Sequence, residues 1–111
     1  MRVLFVCSRN RLRSPTAEQH FSKWPGLEVS SAGLSPDAEE QLTAEDVADA
    51  ELILVMEKHH EKLLKERFSR FLQGKKVACL RIPDEFDFMQ PELVELLEAR
   101  TAPYLAAFKP L

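Results

Sequence analysis

Four short apolar runs constrain the fold of this chain more than any other feature: Val3 to Val6, Leu27 to Ala32, Leu52 to Met56 and Val77 to Ile82. They read as strands covered on both faces, the unbroken "LILVM" of 52–56 most plainly. Helical patterns fill the gaps. Residues 15–23 place Ala17, Phe21 and Trp24 on one face, and Thr43 with Asp46 resembles a capping box opening a short helix. Residues 57–73 align Leu64, Phe68 and Phe71, with Gly74 as a natural stop. Pro91 opens a last helix carrying Leu93, Leu96, Leu97 and Tyr104, which Pro103 is expected to kink or interrupt. Strands alternating with helices imply an α/β fold with a parallel sheet covered on both faces. A length of 111 residues favours a single domain, 1–111.

The formal net charge of −3 excludes a generally basic nucleic-acid binder, but it hides an asymmetry. The first seventeen residues carry four arginines and no acid, and residues 37–57 carry eight acids and no Lys or Arg. Residues 58–81 then carry eight Lys or Arg against two acids. No apolar stretch is long enough to span a bilayer, and residues 3–6 are too short for a signal-peptide core. The expectation is a soluble cytoplasmic protein with neither nucleic-acid nor membrane partners. Its two cysteines, Cys7 and Cys79, make neither a disulfide framework nor a zinc pattern.

The chemistry concentrates in "VLFVCSRNRLRSP", residues 3–15, where Arg9, Arg11 and Arg13 follow Cys7 at alternate positions. Such charges repel one another unless something anionic lies among them. Cys7 stands at the carboxyl end of the first strand, where parallel sheets bind ligands. Ser14 and Pro15 read as a helix cap and first turn, so free N–H groups and the positive end of a helix dipole face the same place. Thiolates attack phosphorus, and helix N-termini beside arginines favour thiolates. Arg13 can grip two phosphoryl oxygens with its planar fork. Loop N–H groups can hold oxygens that gain charge in the transition state. The plainer alternative is a buried structural cysteine beside an exposed basic loop.

"CSRNRLRSP" resembles the signature of the low-molecular-weight protein tyrosine phosphatases, C-x-x-N-x-x-R-S-P, at Cys7, Asn10, Arg13, Ser14 and Pro15. The similarity continues in "SSAG" at 30–33, "ADAELILVM" at 48–56 and "IPDEF" at 82–86. The resemblance implies a four-stranded parallel sheet of order 2-1-3-4 and a two-step phosphatase with a phosphocysteine intermediate and no metal or cofactor. It implies Cys7 as nucleophile, Arg13 as phosphate clamp, and Ser8, Arg9, Asn10, Arg11, Leu12 and Ser14 as the rest of the phosphate loop. Asn10 would hold the loop in a left-handed conformation, and Ser14 would hydrogen-bond the thiolate. The family's acid in its V-x-D-P-aromatic pattern corresponds to Asp84, with Phe86 as the aromatic beside the substrate. Glu85 stands where relatives have proline, and Asp87 is a competing acid.

Other departures bear on selectivity. Arg9 replaces a glycine, Arg11 an apolar wall residue and Leu12 a second loop cysteine, and the segment between Gly33 and Leu42 is shorter than in typical members. A wider, more polar cleft follows, with weaker preference for a tyrosine ring and a liking for acidic substrates. His59 and His60 are neighbours expected to point apart, so no metal pair is read there. Cys79 reads as a small core hydrophobe, and Lys58 to Lys76 as a solvated basic face or a docking surface for an acidic partner. The chain reads as a cysteine-dependent phosphomonoesterase acting on a phosphorylated protein or small phosphomonoester. Two alternatives are a non-catalytic phosphate-binding module and a thiol-linked arsenate reductase, which would need two further cysteines.

Overall fold

A computed structural model describes residues 1–111. Strands β1 (Arg2–Cys7), β2 (Glu28–Gly33), β3 (Leu52–Val55) and β4 (Lys76–Cys79) form one parallel sheet of order β2-β1-β3-β4. Helices α1 (Arg13–Phe21), α2 (Ala44–Asp49), α3 (Lys58–Phe68) and α4 (Pro91–Leu105) connect and follow them. The strand order reverses between β1 and β3, so their carboxyl ends open a crevice of the kind in which such sheets bind ligands.

Side-chain alternation along the sheet splits the core into two layers. Val3, Phe5 and Cys7 of β1 join Leu52 and Leu54 of β3 under α1 and α4, where Ala17, Phe21, Leu93 and Leu97 are buried. Leu4, Val6, Ile53 and Val55 face the other way, onto Val47 of α2 and Leu64 of α3. Each fully buried side chain of this size contributes about 1.5–3 kcal/mol. Phe21 also stacks on Phe5 at 5.5 Å and meets Trp24 edge-on at 4.7 Å, which fixes α1 against β1.

The elements depart from expectation in four places, each with a local cause. The fourth strand ends at Cys79, not Ile82, because Arg81 adopts φ +55°; Leu80 and Ile82 still donate to Val55 and Met56 at 2.8 Å. Helix α1 starts at Arg13, and its N-cap is Leu12 with no side-chain cap bond, since the Ser14 hydroxyl is engaged elsewhere. Helix α3 stops at Phe68 and tightens into a 3₁₀ turn, Ser69–Phe71, before Gly74 at φ +75°. Helix α4 runs through Pro103 to Leu105 without interruption. Pro103 forfeits one bond, to the carbonyl of exposed Ala99 near the helix end, while buried Thr101 and Leu105 hold the last turn in place. The capping box at Thr43 and Asp46 forms as expected, with reciprocal bonds of 3.1 and 3.0 Å.

The short segment after β2 folds back on itself and onto the loop that follows β1. Gly33 bridges to Gln41, Ser35 N–H donates to Ser8 O at 2.8 Å, and Glu39 N–H donates to Arg9 O at 3.1 Å. The approach requires glycine at position 33: a Cβ there would sit 2.6 Å from Ser8 O and from Ala38 Cβ, and 3.0 Å from Asn10 N. Gly33→Ala is therefore expected to destabilise the protein by about 1–3 kcal/mol in denaturant unfolding, as overpacking does. The displaced loop should also bind inorganic phosphate more weakly. Wild-type stability and phosphate affinity in the variant would show that the two segments are not tightly apposed.

Candidate active site

Residues 7–13 curl around the sulfur of Cys7. Asn10 makes the turn at φ +56°, a left-handed conformation that asparagine tolerates better than most residues, and donates its N–H to Cys7 Sγ at 3.3 Å. The Asn10 side-chain amide donates to Ser14 Oγ at 2.8 Å and to Ser31 Oγ at 2.9 Å, and Ser31 donates in turn to Glu18. Ser14 Oγ accepts from Asn10, so its proton is free for Cys7 Sγ, 2.9 Å away. Two donors thus converge on the sulfur, an arrangement suited to the thiolate that acts as a nucleophile. Meanwhile the N–H groups of Ser8, Arg9, Arg11 and Leu12 donate to no protein group. A ring of unspent donors is what an anion-binding loop requires.

The three arginines answer the charge problem one by one. Arg13, buried at the start of α1, donates from Nη1 to Glu57 Oε2 at 2.9 Å and to Ile82 O at 2.8 Å, with Nε 3.7 Å from Asp84 Oδ1. Arg9 lies 3.8 Å from Asp37 and Arg11 3.9 Å from Glu39, all four side chains at least half exposed. The hydrogen bond from Ser35, opposed by slight desolvation and aided by Arg9, holds the Asp37 carboxyl below its usual range. Partial burial works against ionisation of Glu57, but the bond and charge of Arg13 outweigh it and keep the group lowered.

Glu57 and His60 extend the site onto β3 and α3. Glu57 N–H donates to His60 Nδ1 at 3.0 Å, and His60 Nε2 lies 2.8 Å from Ser8 Oγ. Burial, reinforced by the charges of His59 and Arg13, lowers His60 from 6.5 to about 4. Contrary to the expectation that neighbouring histidines diverge, the rings of His59 and His60 meet with centroids 4.2 Å apart, and Glu57 completes a cluster with ligand atoms within 4.8 Å of one another. The turn at the start of α3 brings them together. Both His60 nitrogens and Glu57 already hydrogen-bond protein groups, so the cluster is committed to supporting Ser8 and Arg13.

A cleft of about 490 Å³ opens over the loop, lined by Cys7, Ser8, Arg9, Arg11, Leu12, Arg13 and Asp84. Asn10 and Ser14 are buried and act on the cleft through their hydrogen bonds. Phe86 does not line it. Its ring packs against the α1/α4 core layer, drawn there by the apolar surface beneath the loop. Asp87 also stays outside the lining, its N–H bonded to Gln90. The sequence assigns no site role to Glu57 or Glu18, offers Ser31 only within "SSAG", and raises His60 only as a rejected metal ligand. Glu57 immediately follows the third apolar run, at the carboxyl end of the strand beside β1, and that position was the available signal.

No family model matches the sequence, and no curated protein does either. Solved structures do. The YwlE arginine phosphatase from Geobacillus stearothermophilus superposes with a TM-score of 0.73 at 27% identity, over 96% of this chain and 93% of that one. The tyrosine phosphatase AmsI of Erwinia amylovora gives a TM-score of 0.76 at 26% identity, over 98% and 93%. Vibrio vulnificus Wzb, solved with benzylphosphonate, shares the fold with a TM-score of 0.76 at 23% identity, over 96% and 97%. Over nearly its whole length the chain is similar in fold to these solved phosphatases. No helix here is long and apolar enough to cross a membrane.

The sheet separates the two thiols of the chain. Cys79 is in register with Val55 and, through it, with Val6, on the α2/α3 face, whereas Cys7 belongs to the opposite layer. The β1 and β4 backbones lie two strand spacings apart, about 9–10 Å, beyond disulfide reach. Peroxide is therefore expected to give sulfenic and then higher acids at Cys7, with no Cys7–Cys79 bond. Iodoacetate should label buried Cys7 faster than the more exposed Cys79, and vanadate should protect it. Equal labelling, or a disulfide in peptide mass spectra, would contradict this arrangement.

Proposed function

We propose that the chain is a metal-independent phosphomonoesterase that works through a phosphocysteine intermediate. One observation carries the reading: Cys7, Arg13 and Asp84 meet in a single cleft floored by unspent N–H groups. The Cys7 thiolate attacks phosphorus while the bond to the ester oxygen breaks, and Asp84 gives that oxygen its proton. A water then attacks the phosphocysteine, gives its proton to Asp84, and the S–P bond breaks to release phosphate and the thiolate. Arg13 and the loop N–H groups hold the three non-bridging oxygens throughout. The chain has only two cysteines, held on opposite faces of the sheet, so it lacks the relay of a thiol-linked arsenate reductase.

Hydrolysis of p-nitrophenyl phosphate in chelator should proceed in wild type and vanish in Cys7→Ser. Asp84→Asn should slow a substrate with a poor leaving group roughly 10²–10⁴-fold, and p-nitrophenyl phosphate less, as removal of a general acid does. Asp87→Asn should leave both rates near wild type. The reverse result would shift the acid by three positions in the loop.

The substrate is proposed to be a phosphorylated side chain in an acidic context, bound with little preference for a tyrosine ring. Leu12 is the one large apolar residue in the cleft's lining besides Cys7, and Phe86 faces the core, so an aromatic ring finds little wall. The rim pairs Arg9–Asp37 and Arg11–Glu39 are exposed and long, and such pairs contribute about 0–1 kcal/mol, so an incoming acidic flank can replace the carboxylates. The expected ranking places acidic above neutral phosphotyrosine peptides at low salt, with the gap closing at high salt and in Arg11→Ile. An unchanged ranking in the variant would make the rim arginines bystanders. A phosphoarginine peptide turned over faster than either would instead ally the chain with YwlE, an arginine phosphatase.

A further inference from the structure

The hydroxyl of Ser8 has a single protein partner, and the identity of that partner fixes where its proton goes. Ser8 follows Cys7 directly and lines the cleft. Its Oγ lies 2.8 Å from Nε2 of His60, a ring wholly buried in the first turn of α3. The other ring nitrogen accepts the N–H of Glu57 at 3.0 Å and so carries no proton. A neutral imidazole has one N–H, which must then be on Nε2 and must donate to Ser8. Ser8 Oγ accepts that bond, and its own hydrogen is left without a protein acceptor at the edge of the cleft.

Resting on the phosphate-site reading above, we infer that His60 is a positioning residue that fixes the Ser8 hydroxyl as a donor to the phosphoryl group in the cleft. The tautomer decides the polarity. With the proton on Nδ1, Nε2 would accept from Ser8, and the hydroxyl would present a lone pair to a dianion. The Glu57 N–H prevents this. The same glutamate holds Arg13, and its Oε2 is 3.9 Å from His60 Nε2, so one helix start serves both ends of the loop. Ser8 thereby adds a neutral donor beside the loop N–H groups, aimed before substrate arrives.

Two substitutions separate positioning from packing. In His60→Gln the side-chain amide nitrogen reaches the place of Nε2 and keeps the donor to Ser8. In His60→Asn the amide oxygen takes the place of Nδ1, keeps the acceptor for Glu57 N–H and loses the donor. Ser8→Ala and His60→Asn are each expected to weaken inorganic phosphate binding about tenfold or more, the usual scale for one hydrogen bond to a charged group. His60→Gln should recover most of that loss, and His60→Asn should cost nothing further in a Ser8→Ala background. Wild-type phosphate affinity in Ser8→Ala, which removes only the cleft-lining hydroxyl and needs no His60 variant to fold, overturns the inference. Equal losses in the Gln and Asn variants overturn it in favour of packing alone. Affinity is read by titration calorimetry without turnover, so a wild type that binds phosphate but hydrolyses nothing would refute the catalytic reading and leave this one standing.

Discussion

The buried guanidinium of Arg13 is the interaction on which the rest of the site depends. A desolvated charge costs several kcal/mol unless it is paired and hydrogen-bonded, and removal of one partner from such a pair typically costs about 3–5 kcal/mol. Arg13 satisfies that demand from three elements at once: Glu57 after β3, the Ile82 carbonyl after β4, and Asp84 two residues further on. Its own backbone begins α1. One side chain therefore locks together the ends of the strands that form the crevice, and it places the loop carrying Asp84 over the loop carrying Cys7. The stability of this corner and the geometry of the proposed chemistry are the same set of bonds.

The sulfur is held by a second network that does not involve Arg13. Asn10 spends its amide on Ser14 and Ser31, which leaves the Ser14 proton for Cys7. Because the carboxamide can only donate through its nitrogen, the direction of each bond in the chain is fixed from Asn10 outward. His60 imposes direction in the same way on Ser8. Both hydroxyls beside Cys7 in the loop are thus given a sense by a residue behind them. This order is established before any anion enters, which is what electrostatic preorganisation means in structural terms.

Much of this was legible in the sequence, because it is carried by local pattern. The four apolar runs became the four strands, and the Cys7-to-Ser14 stretch became the loop with Asn10 at positive φ. What the sequence did not display was partner choice at long range. Glu57 is 44 residues from Arg13 and His60 is 52 from Ser8, and no periodicity links them. Ser14 read as a helix cap because serine favours that role, but the acceptor geometry at Cys7 claimed its hydroxyl first. Phe86 read as a cleft residue from its place in a motif, yet an uncovered patch of core was the stronger attraction. Pro103 read as a break, although a proline so near a helix end removes a bond the solvent can replace.

Arg9, Arg11 and Arg13 are chemically identical and alternate in one loop, and burial alone assigns them different work. Arg13 is fixed, since exchange of its partners would expose a charge to a dry interior. Arg9 and Arg11 face water, and their carboxylate partners come from the same short segment that Gly33 admits against the loop. That segment supplies Asp37 and Glu39 to the rim of the cleft. The rim that results is nearly neutral at rest yet can be repolarised, because exposed ion pairs are held weakly and screened by salt. In the proposed function, recognition of the phosphoryl group is therefore rigid and recognition of what surrounds it is adaptable, a division drawn by the depth at which each arginine sits.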